Sequence, residues 1–386
     1  MSVEFLLSHQ DHQKVEDFLG AAPAGVGAIT LHSTYAKHQQ AAADAAREAG
    51  LRVVYDPRTE RLAYPDAIGA TRKLPGWTGN IQDVGELASS PKLRSTLVAR
   101  IIDGHPDFAT VVTPPAFFVS DERSGNLNVA LAEETRLQSE RPVRAKLLIS
   151  SRLPEPVIKE LAEEYARAGI TEIDFRMTPL NGENDGVGKI KKLFAAADRL
   201  RENGMRVTLG SSGNIGQVAY ALGHVHAYSV GVGQDEHIDF AGKLSRQRTP
   251  KKLDDQGNPA KSGGGWEGIY LPGLAVTVGR KHGEALLANT DIRSRIGCRT
   301  GVCGTSIQGP LEDSKAHYLH SRAGSVAALA ERPEAWRGTT ELARLERAIE
   351  LRKLVNKHHK VPGHGLLQTR TLENLTKRIA EEAAAA

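Results

Sequence analysis

A repeated pattern of helix followed by strand runs along the chain. Three segments, at 43–56, 161–175 and 195–210, each have a polar, alanine-rich helical stretch, then a glycine, then a run rich in β-branched residues. Glycine supplies the left-handed conformation that ends a helix, and two or three residues then suffice to turn the chain back into a sheet. The pattern predicts the helix-to-strand half of a repeating β–α unit.

Eight short apolar runs have the composition of strands. Strands that alternate with helices form parallel sheets, so the chain is predicted to be an α/β protein. Eight strands favour a closed (β/α)8 barrel of the TIM type, with an open doubly wound parallel sheet as the alternative. The predicted strands are 26–31, 52–55, 109–112, 145–150, 172–176, 206–210, 227–231 and 268–271.

Long irregular stretches follow strands, whereas the connections from helix to strand are short. The long stretches are 57–82, 113–128, 178–187 and 232–267. In a barrel they all project from the C-terminal face, where such enzymes place their sites. We therefore expect a functional site on that face.

The pattern changes after residue 330. We predict a barrel domain at 1–330, which includes a basic loop at about 234–267, and a C-terminal helical extension at 331–386. The extension has two helical segments, 338–357 and 369–384. Apolar residues recur at helical spacing in the first segment, which is typical of a helix that packs on a domain.

The composition is that of a soluble globular protein, with 40% hydrophobic and 25% charged residues. The chain has no long apolar run, and its first twenty residues carry acids where a signal peptide has an apolar centre. We expect a cytoplasmic protein that does not enter a membrane. The net charge of +4 suits an anionic small-molecule substrate, and nucleic acid is a further candidate partner.

Polar side chains share one face of two predicted strands. Side chains alternate across a strand, so Asp174 and Arg176 are predicted to face the barrel interior. They form either a structural ion pair or a substrate site, in which Arg176 binds an anion and Asp174 acts as a base. Lys146, Ser150 and Arg152 share a face of the fourth predicted strand, and we assign Arg152 to substrate binding.

A small polar turn follows the sixth predicted strand. Ser211, Ser212 and Asn214 lie there between glycines, just before an apolar helix. Backbone N–H groups at a helix start, with hydroxyls beside them, form a natural anion site. Serine and asparagine are equally good helix caps, so a structural turn is the alternative.

The stretch SVGVGQDEHIDF, at 229–240, ends the seventh predicted strand. Gly231 and Gly233 allow close approach of the backbone to a ligand, and Asp235, Glu236 and His237 are candidate acid–base groups. The alternative is a strand that runs into a solvated loop. The basic, glycine-rich residues that follow predict either a lid over an anionic ligand or a solvated loop.

Four residues near the end of the predicted barrel are of zinc-ligand type. Cys298, Cys303, His317 and His320 combine thiolate with imidazole, the usual donors of a structural zinc site. Their C-x4-C-x13-H-x2-H spacing is not that of a standard zinc finger. Two inert buried cysteines and a redox pair are the alternatives.

These residues resemble the tRNA-guanine transglycosylase family, whose barrels carry a cysteine-rich zinc subdomain followed by a Tyr-Leu-His-His-type helix. The matching pieces lie within residues 298–322, at Cys298, Cys303 and the segment His317-Tyr318-Leu319-His320. The family's closely spaced cysteine triplet is absent. The resemblance implies bound zinc and base exchange on nucleic acid.

Three functions therefore stay open. The leading hypothesis is a barrel enzyme that acts by acid–base chemistry on an anionic, phosphorylated or nucleotide-like small molecule. The second is transglycosylase-like base exchange, and the third is a non-catalytic protein that associates with nucleic acid or another partner. The sequence has no Walker motif and no HExxH helix to narrow the reaction class.

Overall fold

Parallel strands curl into a barrel. The computed structural model describes residues 2–64, 71–240, 242, 266–298, 300, 303 and 309–385. Within this part of the chain, seven parallel strands form one sheet in the order β3-β2-β1-β7-β6-β5-β4. They are β1 (Ser2–Leu6), β2 (Val26–His32), β3 (Arg52–Asp56), β4 (Ala145–Ser150), β5 (Glu172–Thr178), β6 (Arg206–Leu209) and β7 (Ala227–Gly231).

A short segment at 110–112 closes the gap between β3 and β4. Val111 forms a parallel bridge with Val54 of β3, and Val112 forms one with Val143, just before β4. The backbone N–H of Thr110 donates to β3 at 2.8 Å, and the Val112 carbonyl accepts a bond from residue 144 at 3.0 Å. This segment takes the place of one strand, so the fold is the (β/α)8 barrel rather than the open sheet.

Two strands differ from the sequence prediction. β1 was not predicted. It lies between β2 and β7 in the sheet and pairs parallel with both, so it connects these two strands of the barrel. The prediction that 268–271 is a barrel strand is wrong, because β8 (Gly268–Leu271) pairs antiparallel with β9 (Val276–Gly279) outside the barrel sheet. A short apolar run predicts that a strand forms, but it does not predict which sheet the strand joins. The predicted sixth and seventh strands are therefore the seventh and eighth around the barrel.

Helices alternate with the barrel strands and bury their apolar faces against them. On β5, Ile173 and Phe175 are fully buried in the main hydrophobic core. The core continues into the surrounding helices, as expected for a parallel sheet covered by helices. The helices of this part of the chain are α1 (His12–Gly20), α2 (Gln40–Glu48), α3 (Val84–Ser89), α4 (Pro91–Asp103), α5 (Glu122–Gln138), α6 (Glu155–Arg167), α7 (Val187–Glu202) and α8 (Gly213–Ala221).

Further helices follow the β8–β9 hairpin. A second apolar cluster joins this hairpin to Val355 and Leu367 near the C-terminus. The two helices predicted after residue 330 are present as α13 and α14. The helices are α9 (Arg280–Ala288), α10 (Thr290–Ile296), α11 (Gly309–Glu312), α12 (Ser314–Ala330), α13 (Glu334–His358) and α14 (Arg370–Ala385). Among the described residues, none of the helices has both the length and the apolar character needed to cross a membrane.

Candidate functional site

The carboxyl ends of the barrel strands gather ionisable side chains in the barrel mouth. Asp56 ends β3 and Glu60 lies in the turn after it, and both accept hydrogen bonds of 3.0 Å from Nζ of Lys146 on β4. Burial raises the pKa of Asp56, but the nearby charges of Lys146 and Arg176 outweigh it and hold that pKa well below its usual range. Asp56 is therefore ionised at neutral pH.

Asp174 and Arg176 form a buried ion pair beside this group. Nη2 of Arg176 lies 2.6 Å from Oδ2 of Asp174, and Nε of Arg176 donates to the same oxygen at 3.1 Å. The two residues are only 9% and 8% exposed. They also lie against Gly210, where an added Cβ would be 2.4 Å from Oδ1 of Asp174. The two side chains thus neutralise each other inside the barrel.

The loop after β7 brings Asp235 to the mouth beside the ends of β2 and β3. Asp235 is exposed, and its φ of 50° places its backbone in the left-handed region. Its charge acts on His32 at the end of β2 and on Arg61 after β3. Burial and the nearby Arg58 lower the pKa of His32 to about 3, so this imidazole is neutral at pH 7. Asp235 is thus an exposed acid within a mixed-charge group at the barrel mouth.

Glu236, the next residue, is anchored by α12. The hydroxyl of Tyr318 donates to Oε1 of Glu236 at 2.6 Å, and the fully buried Arg322 forms an ion pair with the same oxygen. Burial raises the pKa of Glu236, but Arg322 and the Tyr318 hydroxyl lower it further than burial raises it. Glu236 therefore holds the loop in place, whereas His237 beside it is exposed.

The two glycines of this loop permit close packing of backbone on backbone. A Cβ on Gly231 would lie 2.6 Å from the carbonyl oxygen of Gln234, because the loop folds back on itself. Gly233 has a φ of 70° and lies against Gly268 of β8. Both positions require glycine for contacts within the protein.

The turn after β6 is also tied into the protein. The N–H of Ser211 donates to Oγ of Ser229 at 3.2 Å, and Oγ of Ser212 donates to a carbonyl at the end of β6. Nδ2 of Asn214 donates to the carbonyl of Ala275 at 2.7 Å. These polar atoms connect the turn to neighbouring segments. Arg152, another residue assigned to substrate binding, is exposed after β4.

Most of the predicted basic loop lies outside the described part of the chain. These residues are 241 and 243–265. The lid interpretation falls on those residues and stays a prediction.

The four predicted metal ligands come together where Cys298 and Cys303 meet α12. One donor atom from each lies within 4.8 Å of the others. Sγ of Cys303 is 3.3 Å from Nδ1 of His317 and 3.1 Å from Nε2 of His320, and Sγ of Cys298 is 3.8 Å from the latter. Tetrahedral zinc, with bonds of roughly 2.1–2.3 Å, separates such donors by about 3.6 Å. The cluster could therefore hold a metal ion.

A contact beyond the ligands supports this fit. Nε2 of His317 donates to the carbonyl of Tyr270 at 2.6 Å, which leaves Nδ1 directed at Cys303. Metal-binding histidines usually make such a bond with the ring nitrogen that does not bind the metal.

Burial raises the pKa of the Cys298 thiol, but hydrogen bonds from His317 and His320 outweigh it and lower that pKa to about 4. Burial and the neighbouring Cys298 raise the pKa of Cys303 to about 12.

Several residues of the site were missed from the sequence. Asp56 directly follows the predicted strand 52–55. Its position at the carboxyl end of that strand could have placed it among the residues of the barrel mouth. Tyr318 and Arg322 lie on the same helix as His317, four residues apart, which places them on one helix face. Nothing in the sequence around Glu236 indicates that it contacts these two residues, which lie more than 80 positions further along the chain.

Comparisons with known proteins assign no family. No protein-family model matches the sequence, and neither does any curated protein. Similar solved structures include the 3-dehydroquinate dehydratase of Aquifex aeolicus VF5, with 14% identity, a TM-score of 0.33, and coverage of 64% of this chain and 97% of that chain. Another is the active domain 2 of chitinase from Pyrococcus furiosus, with 12% identity, a TM-score of 0.36, and coverage of 65% and 97%. Such low values do not identify an activity.

Proposed function

We propose that the chain is a zinc-containing barrel enzyme that exchanges the base of a nucleotide unit, as the tRNA-guanine transglycosylase family does. The observation that carries this proposal is the Cys298, Cys303, His317 and His320 cluster and its direct connection to the barrel mouth. A protein whose cysteines were merely buried would not need two histidines directed at both sulfurs.

The connection runs through α12. His317 and His320 face the cysteines, while Tyr318 and Arg322 of the same helix hold Glu236. Zinc bound by the four ligands would join Cys298 and Cys303 to this helix and so support the loop after β7. The metal has a structural role in this proposal and takes no part in bond making.

Asp235 is the nucleophile in this proposal, because it is an exposed acid whose charge acts on His32 and Arg61 at the barrel mouth. A carboxylate oxygen of Asp235 attacks C1′ of the sugar, and the electrons of the broken glycosidic bond leave with the base. The incoming base then attacks C1′ and the carboxylate departs. The departing base gains one proton and the incoming base loses one, so the exchange needs no oxidant or reductant.

The charges around Asp235 suit an anionic nucleotide. Arg58 and Arg61 lie close enough to His32 to influence its pKa, as Asp235 does. Guanidinium groups bind phosphate in a bidentate manner. A nucleotide could therefore place its phosphate by these arginines and its sugar by Asp235.

The test is incorporation of radiolabelled guanine into unfractionated tRNA and, separately, into duplex DNA. We expect acid-insoluble label to accumulate with one of these substrates. The matched control is the Asp235→Asn protein, which should incorporate none. If the wild-type protein, with metal bound, incorporates no label with either substrate or with other free purines, the exchange proposal is overturned.

A second candidate is acid–base chemistry on a phosphorylated small molecule. It is supported by Lys146, whose buried ammonium lies between Asp56 and Glu60. Buried groups of opposite charge at a barrel mouth are common in catalytic sites. A thermal-shift screen with phosphorylated metabolites tests it, since a substrate should raise the melting temperature of wild type more than that of Lys146→Met.

A further inference from the structure

Trp266 presents a large, exposed indole ring whose position is fixed. The residue is 61% exposed. Its Nε1 donates to the carbonyl oxygen of Gly233 at 3.2 Å. The six-membered part of the ring lies against Gly279, where an added Cβ would be 3.1 Å from Cζ3. The only polar atom of the indole is thus bonded within the protein, and apolar surface is left facing solvent.

The ring is attached to the loop that carries Asp235. Gly233 lies two residues before Asp235, and Nε2 of Gln234 between them donates to Oγ of Ser8 at 2.5 Å. This bond ties the loop to the end of β1. Trp266, which lies just before β8, therefore packs at the barrel mouth against the loop that carries the proposed nucleophile.

Other aromatic rings lie near Asp235 as well. Its charge acts on His32, whose ring centroid is 4.8 Å from that of Tyr35. Tyr35 in turn lies 4.9 Å from the ring of His9. Aromatic side chains combined with cations such as Arg58 and Arg61 are typical of surfaces that bind single-stranded nucleic acid.

A fixed and exposed indole suits one class of ligand group. An isolated aromatic surface of this size is unfavourable in water unless another apolar face covers it. Nucleobases present flat faces of matching size, and their stacking on aromatic residues tolerates every base. Because the indole is already held by Gly233, little conformational freedom is lost when a base stacks on it.

We propose that Trp266 is a stacking platform for an unpaired base that neighbours the reacting nucleotide. The substrate is then a nucleic-acid strand rather than a free nucleoside. The inference rests on the proposed function for the identity of the reacting group, but binding through Trp266 can be measured without turnover.

The experiment measures the affinity of the full-length, metal-loaded protein for fluorescein-labelled single-stranded oligonucleotides by anisotropy at constant salt. Trp266→Leu is expected to weaken binding by about 5- to 150-fold, which corresponds to the loss of one base stack. Trp266→Phe should keep most of the affinity. The matched control is Trp336→Leu, since Trp336 is 67% exposed but lies on α13, and it should bind like wild type.

A second measurement separates stacking from a general loss of structure. Oligonucleotides with one abasic position, moved along the strand, should weaken the binding of wild type at one register and leave Trp266→Leu unaffected there. The salt dependence of binding should be equal for both proteins, because no phosphate contact is removed. Equal affinity of Trp266→Leu and wild type, or no oligonucleotide binding by wild type, would overturn the inference.

The outcomes also distinguish this inference from the proposed function. Oligonucleotide binding that depends on Trp266, without incorporation of guanine or of any other free purine, supports the platform and rejects base exchange. Incorporation that is as efficient in Trp266→Leu as in wild type supports base exchange and rejects the platform.

Discussion

The hydroxyl of Tyr318 donates a 2.6 Å hydrogen bond to the carboxylate of Glu236, and this bond joins α12 to the loop after β7. His317 and His320, on either side of Tyr318, direct their rings at Cys303. Asp235 directly precedes Glu236. One helix therefore connects the candidate metal cluster to the candidate nucleophile.

Removal of the Tyr318 hydroxyl should impair the reaction through loop position. In Tyr318→Phe we expect kcat to fall by about tenfold with little change in KM, and the free energy of unfolding to fall by about 1.5–3 kcal/mol, since a hydrogen bond to a charged group is lost. Steady-state kinetics and urea unfolding measure both. The control is Tyr220→Phe, because the buried hydroxyl of Tyr220 has no hydrogen-bond partner among the described residues. Equal kcat in the two variants would contradict the role assigned to Tyr318.

Asp235→Asn should abolish base exchange while the fold is kept. The amide is a far weaker nucleophile than the carboxylate, so we expect kcat to fall by at least about a thousandfold. Thermal unfolding should change little, because residue 235 is exposed. Asp107→Asn serves as the control, since Asp107 is exposed and precedes the 110–112 segment at the opposite end of the barrel. Residual activity near the wild-type level would remove Asp235 from the mechanism.

The Cys2His2 cluster should bind about one zinc ion per chain. Elemental analysis of protein purified without an affinity tag should find this zinc in the wild type and lose it in Cys303→Ser. His282→Ala is the matched control, because His282 stacks on His364 outside the cluster and its removal should leave the zinc content unchanged. A wild-type protein without metal, even after incubation with zinc, would leave two inert cysteines, of which only Cys303 is buried, as the better interpretation.

His224 should make the stability of the protein depend on pH. Burial lowers its pKa, but hydrogen bonds to Asp198 and Glu382 outweigh burial and raise the pKa from 6.5 to about 9. A raised pKa in the folded state contributes stability that is complete below about pH 6.5 and is lost as the pH rises through 9. We expect a loss of about 3 kcal/mol across that window, measured by urea unfolding at several pH values. In His224→Gln the profile should be flatter, and an unchanged profile would refute the assignment.

Glu4 lies at the centre of the ion pairs in the barrel interior. It is fully buried, and one carboxylate oxygen accepts a 2.7 Å bond from Nη2 of Arg144, which is 2% exposed. Glu4→Gln removes the nearest carboxylate from that buried guanidinium and leaves Glu172, whose Oε1 is 3.7 Å from Nε of Arg144, as its remaining ion-pair partner. The free energy of unfolding should therefore fall by about 3 kcal/mol, the low end for breaking a buried ion pair. Glu163→Gln removes an exposed partner of Lys159 and should change it by less than about 0.5 kcal/mol. Similar effects of the two substitutions in urea unfolding would contradict this account.

Much of the fold could be predicted from the chain because the relevant signals are local. Glycine at a helix end and β-branched residues after it act over a few residues, and these signals located most of the strands. β1 escaped prediction because its polar residue Glu4, which pairs with Arg144 in the barrel interior, breaks the apolar run of Ser2–Leu6. The strand at 268–271 was correctly located, but its partner β9 was not apparent from sequence.

The sequence by itself determined the alternation of strand and helix, the inward direction of Asp174 and Arg176, and a set of four possible zinc ligands, namely Cys298, Cys303, His317 and His320. Only the tertiary structure decided that these four residues meet, and that Glu236 is held by Arg322, 86 residues away. Short-range propensities follow from the chain itself, whereas ion pairs and ligand clusters depend on how distant segments pack. Because of that packing, Glu236 is bound by Tyr318 and Arg322 whereas the neighbouring Asp235 is exposed, although both side chains are carboxylates.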